Sequence, residues 1–205
     1  MRGFSLEALL ITLPAILVAV TVHEFAHAFI ADRLGDSTAR LLGRLSLNPL
    51  VHLDVMGTIL FVVAGFGWAK PVPVNPRNFA NWRQGMMLVA AAGPLANVTL
   101  MFILGLVFQS GLIEPGTVPG LIVLTTIRIN AILAIFNLLP IPPLDGSRIL
   151  SGLLPAAQAV AYERLQPYGP VLLFLLVFLA PGVISQFVYP PVIWLITQAT
   201  GSGAF

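Results

Sequence analysis

Residues 5–33, SLEALLITLPAILVAVTVHEFAHAFIADR, decide how this chain is read. A helix needs about 20 predominantly apolar residues to cross a bilayer, and this stretch has them. Its second half nevertheless carries two histidines and a glutamate. At 3.6 residues per turn, His23 and His27 fall on one helical face, about 6 Å apart along the axis. Two imidazoles so placed can hold one zinc ion at roughly 2 Å each. Glu24, turned about 100° from His23, suits a general base acting on a metal-bound water better than a ligand. A polar stripe between helices is the competing reading. It is disfavoured because each ionisable group at membrane depth costs about 2.5 to 3.5 kcal/mol on insertion scales and usually marks function.

The rest of the chain agrees with a membrane setting. Of its 205 residues 58% are hydrophobic and 9% charged, against roughly 25% charged in soluble domains. Further apolar helices are expected at 84–110, 118–139 and 169–198, the last broken by Pro181, Gly182, Pro190 and Pro191. Ten basic residues against eight acidic ones are too scattered for a nucleic-acid surface. The absence of cysteine excludes a disulfide frame and a thiolate metal site. Arg2, the apolar run and Ala26-His27-Ala28 imitate a cleavable signal, but cleavage there would discard the histidine motif. The expected fold is an all-α polytopic membrane protein. Its residues 1–205 form a single domain, with a core of about 5–153 and C-terminal membrane segments of about 155–199.

Two short segments need separate treatment. The run 55–67 is short for a span and fits a re-entrant piece. If it does not cross, Arg33, Arg40, Arg44, Lys70, Arg77, Arg83, Arg148 and Arg164 share one side and only Arg2 lies on the other, as expected when basic residues gather on the cytoplasmic face. Lys70-Pro71-Val72-Pro73-Val74-Asn75-Pro76 is excluded from helix by its prolines and reads as an edge strand or hairpin arm.

Catalytic zinc normally takes three protein ligands and leaves a position for water. The third ligand is therefore His52 or a carboxylate. Asp145 is favoured, with the N-cap of a helix over 146–153 as its alternative role. In the non-crossing topology His27 and Asp145 lie toward the same membrane face, where one metal can join them.

Together these residues resemble the site-2 proteases, intramembrane zinc metalloproteases, in their minimal prokaryotic branch without attached regulatory domains. The resemblance rests on His23–His27, Asn48-Pro49 with His52 and Asp54, Gly67–Asn75, Gly93-Pro94-Leu95-Ala96-Asn97, and Asn137 through Leu144-Asp145-Gly146. It implies a three-helix catalytic core, Asp145 as third ligand to one zinc ion per chain, and cleavage of transmembrane protein substrates toward the cytosolic side of the cell membrane. It also supports Asn137 as an oxyanion donor, for which an interhelical hydrogen bond is the alternative. Val72, Val74, Asn97 and His52 are candidate substrate-binding residues. Arg128, within an apolar helix, requires an acidic, carbonyl or water partner. A membrane metal-ion transporter or channel would use the same ligands but gives Glu24 no task.

Overall fold

The opening apolar stretch is one 28-residue helix, α1 (Leu6–Arg33), in a computed structural model that describes residues 6–64 and 67–201. Glu7 in its first turn and Arg33 in its last complement the helix dipole. The second long helix, α4 (Trp82–Gln109), starts where the Asn81 side chain accepts the Gln84 amide. The third, α5 (Val118–Asn137), starts where the Thr117 hydroxyl accepts the Gly120 amide. These three helices are long and apolar enough to cross a membrane. Every named element in the described residues is helical.

Helices α1, α4 and α5 pack mutually and form the core that carries the site. Their contacting faces are built from small residues: Ala15, Ala19, Ala28 and Ala31 on α1, Ala90 and Ala92 on α4, Ala131 and Ala134 on α5, all buried. Small side chains let helix backbones approach closely where no hydrophobic force drives them together. Large apolar residues such as Val18, Leu106 and Phe174 point outward instead, as lipid contact requires.

The C-terminal part is α7 (Ala156–Glu163), α8 (Gly169–Leu179) and α9 (Pro181–Thr200), with an 89° bend where α9 begins. The break expected at Pro181-Gly182 is present. The break expected at Pro190-Pro191 is not, and α9 runs through both prolines. Val188, Val192, Leu195, Ile196 and Ala199 recur at helical spacing on both sides of them and pack against Met101 of α4 and Ile127 of α5. Such packing holds a proline-containing membrane helix together.

The run after residue 54 forms α3 (Val55–Ala64), ten residues long. At 1.5 Å per residue it measures roughly 15 Å, about half of a bilayer core. Its flanks meet: Leu53 bridges Ala69 antiparallel, and the Lys70 amide donates to the His52 carbonyl at 2.9 Å. Gly57 lies so close to the returning chain that a Cβ there would stand 2.2 Å from the Trp68 carbonyl oxygen. The chain thus leaves and returns at one place, while residues 65–66 lie outside the described ones. The expected hairpin appears only as that isolated bridge, and 70–75 joins no strand ladder among the described residues.

Two buried charges fix 70–75 in position. Arg44 donates from Nη1 to the Pro71 carbonyl at 3.1 Å and from Nη2 to the Lys70 carbonyl at 2.6 Å. Asp36, fully buried between α1 and the short helix α2 (Thr38–Leu41), accepts the Asn75 amide and the Asn78 side chain, each at 2.7 Å, as well as the Thr38 hydroxyl. Burial works to raise the Asp36 pKa, but the bonds from Thr38, Asn75 and Asn78 outweigh it and lower the value. The folded value therefore lies below the unfolded one of about 3.9. Its stabilisation is present above about pH 4 and fades as the pH falls through the lowered value. Asp36→Asn is expected to melt about 3–12 °C below wild type near pH 6, with the gap closing toward pH 3. Thermal unfolding in detergent checks this, and a gap independent of pH would exclude the account.

Candidate metal centre

One turn of α1 separates His23 from His27, and their Nε2 atoms come within 3.0 Å with the rings edge to face. Opposite them stands Asp145, the first residue of α6 (Asp145–Leu153). The chain reaches it through the proline-rich bend that follows α5. Asp145 Oδ2 lies 3.2 Å from His23 Nε2 and 3.3 Å from His27 Nε2. The N-cap position belongs to Leu144, without a side-chain cap bond, so the Asp145 carboxylate faces the histidines and does not cap the helix. The structure brings together the three residues expected to bind metal.

The hydrogen-bond partners fix the tautomers. His27 Nδ1 faces the Val89 carbonyl at 2.7 Å; a carbonyl only accepts, so Nδ1 carries the proton and Nε2 presents a lone pair. His23 Nδ1 meets Asn97 Oδ1 at 2.6 Å. The orientation of Asn97 follows from its other contacts, because its Nδ2 donates to the Ala19 carbonyl and to Asn130 Oδ1. Asn130 in turn donates Nδ2 to the Thr126 carbonyl. This fully buried chain runs in one direction, so His23 also turns a lone pair to the centre. Asp145 Oδ2 is buried without a hydrogen-bond donor.

Two nitrogen lone pairs and a carboxylate oxygen thus converge with no proton fixed among them. A cation with a preference for N and O donors fits this arrangement, and zinc has that preference. Hydrogen-bond partners that orient each histidine, here the Val89 carbonyl and Asn97, are the usual companions of such a site. The backbone of α4 closes one side: a Cβ on Gly93 would lie 2.5 Å from His27 Nε2 and 2.6 Å from His23 Cε1.

The centre opens into a cavity of about 380 Å³, lined by Glu24, Val72, Val74, Asn137 and Arg148 beside His23, His27 and Asp145. Glu24 Oε2 accepts the Val72 amide at 3.2 Å. Asn137 donates one amide hydrogen to the Leu133 carbonyl at 2.9 Å, leaving a second on the cavity wall. The other two candidates for substrate contact stand elsewhere. Asn97 is fully buried behind His23, and His52 is buried with Nε2 2.8 Å from the Ser46 carbonyl; neither lines the cavity. The sequence reading missed Asn130, Asp36 and Arg44 as site supports. For Asn130 a signal existed, a lone amide side chain in an apolar helix.

Comparison with known proteins agrees with this chemistry. The profile described as peptidase family M50 matches residues 116–180, which include Asn137 and Asp145. The chain is 43% identical over 175 residues to the Bacillus subtilis protein named "Putative zinc metalloprotease YwhC", covering 81% of this chain and 78% of the relative. It is 32% identical over 186 residues to "Putative zinc metalloprotease Rip2" of Mycobacterium tuberculosis, covering 87% and 70%. It is 31% identical over 151 residues to "Putative zinc metalloprotease MJ0611" of Methanocaldococcus jannaschii, covering 72% and 73%. No solved structure matches. A histidine pair and a carboxylate converging among membrane-length helices, in a chain this close to such relatives, belong to a multi-pass zinc metalloprotease of peptidase family M50, the site-2 protease family.

Proposed function

We propose that the protein is an intramembrane endopeptidase that hydrolyses peptide bonds in or near transmembrane segments of other membrane proteins. In this reading His23, His27 and Asp145 hold one zinc ion, Glu24 is the general base, and the site faces the cytoplasm. The observation that carries it is the convergence of Asp145 on His23 and His27 beside Glu24, the last three on one membrane-length helix. His27 is six residues before the end of α1 at Arg33, roughly 9 Å along the axis. That depth suits cleavage near one membrane face. The meeting of Leu53 with Ala69 supports a loop over 55–67 that returns to its own side, which gathers the basic loops there. Residues of about 5–153 would form the catalytic core, with α7, α8 and α9 beside it in the same domain.

When bound, zinc supplies a Lewis acid that polarises the scissile carbonyl and acidifies a water. Glu24 takes the proton from the attacking water and passes it to the leaving amine. The Val72 amide holds one carboxylate oxygen of Glu24, leaving the other for this task. The spare N–H of Asn137 offers a donor where the carbonyl oxygen gains charge. Purified protein mixed with a helical membrane substrate should cleave it, lose more than about 10²-fold in rate on chelation, and recover with zinc. Zinc flux through reconstituted vesicles with no hydrolysis would instead support a transporter.

A helical substrate hides its peptide bonds and must unwind before cleavage. The segment 70–75, pinned by Arg44 and Asp36 along the cavity, offers backbone groups on which the unwound stretch can pair. Val74→Pro removes a cavity-lining N–H that makes no hydrogen bond among the described residues and is expected to lower cleavage roughly tenfold with zinc retained, whereas Val74→Ala keeps activity. Equal turnover of the two variants would count against this role.

A further inference from the structure

A second cavity, of about 210 Å³, adjoins the metal centre, and Met86 and Arg148 line both cavities. Arg148 follows Asp145 by three positions on α6, so both side chains leave the same side of the helix. Other charged groups of the second cavity are engaged within the protein. Arg83 donates to the Ser151 and Leu154 carbonyls at 2.8 and 2.7 Å, and the Glu163 carboxylate accepts the Ser151 hydroxyl at 2.6 Å. Arg148 is exposed and, among the described residues, makes no side-chain hydrogen bond or ion pair. Two guanidinium groups against one carboxylate leave the second cavity with an excess of positive charge, and the unengaged one sits at the junction.

We propose that this second cavity is a substrate subsite and that Arg148 determines its specificity by binding an acidic side chain, Asp or Glu, a few residues from the scissile bond. The inference rests on the protease reading above. A guanidinium fork matches a carboxylate with two parallel hydrogen bonds, which a neutral amide cannot match in strength. The carboxylate created by hydrolysis forms at the metal centre, on the other side of Met86 and Arg148. A side chain, and not the new terminus, therefore reaches the second cavity.

The test uses the full chain, zinc-loaded in detergent, and a series of quenched fluorescent peptides built on one apolar helical sequence. Each peptide carries Asp, Asn or Lys at one of the successive positions around the cleaved bond, which mass spectrometry locates. At one of these positions Asp is expected to raise kcat/KM over Asn by roughly ten- to a hundredfold. Arg148→Gln removes that preference and Arg148→Glu turns it toward Lys, each with zinc content unchanged as the check on folding. A wild-type Asp-to-Asn ratio that survives in Arg148→Gln overturns the proposal. So does a uniform loss for all peptides that appears only in vesicles of anionic phospholipid, which would make Arg148 a headgroup anchor. If zinc-loaded wild type cleaves no peptide and no membrane substrate, the protease reading fails and the subsite with it. Cleavage without any acidic preference removes the subsite alone.

Discussion

Glu24→Gln is expected to abolish peptide hydrolysis while leaving zinc in place. The three residues proposed to hold zinc are His23, His27 and Asp145, and none of them makes a hydrogen bond or ion pair with the Glu24 carboxylate. Glutamine keeps the length of the side chain, and its carbonyl oxygen can still accept the Val72 amide that Glu24 Oε2 accepts at 3.2 Å. What it loses is the ability to take a proton. General acid–base catalysis contributes about 10²- to 10⁴-fold, and in the proposed mechanism one residue serves both the attack and the departure of the amine, so the loss should be at least of that size. Zinc stoichiometry by atomic absorption and cleavage of a helical membrane substrate are the two readouts. Hydrolysis persisting with bound zinc would move the base elsewhere. Loss of zinc together with activity would make Glu24 a support of the metal and not the proton carrier.

The parts of this site that could be read in the sequence are those set by local geometry. His23 and His27 are neighbours because a helix has 3.6 residues per turn, and the apolar run around them requires a helix. Asp145 is 118 positions further on, yet helix parity and the placement of basic loops put it toward the same face. The supports were harder to see because each is a match between distant groups. Asn97 has value only because Ala19, Asn130 and His23 present the right donor or acceptor at the right place. In sequence it suggested substrate contact instead. Asp36 and Arg44 look like ordinary loop charges, and only the fold reveals that they hold the backbone of 70–75. Pro190 and Pro191 misled for the converse reason. Proline has a strong local preference, but the stripe from Val188 to Ala199 packs along α4 and α5 and keeps the helix intact.

Gly93→Ala should empty the metal centre by the addition of one methyl group. A Cβ at this position would lie 2.5 Å from His27 Nε2 and 2.6 Å from the Cε1 atoms of both histidines, well inside van der Waals contact. Either α4 or the rings must move. Helix α4 cannot withdraw by itself, since the Val89 carbonyl that holds His27 and the Asn97 side chain that holds His23 belong to the same helix. Withdrawal breaks both bonds, and rotation of the rings breaks them equally. Loss of one such orienting partner weakens metal binding by about 10- to 100-fold. Disturbing two, with the donor atoms themselves displaced, should weaken zinc by more than about 10²-fold and remove activity in step. Gly116→Ala is the control, because a Cβ there meets nothing within 4 Å and should leave zinc affinity unchanged. Competition with a chelator measures both variants. A Gly93→Ala protein that holds zinc as tightly as wild type would mean that the metal does not sit between His23, His27 and Asp145. The small residue at position 93 would then serve helix packing alone.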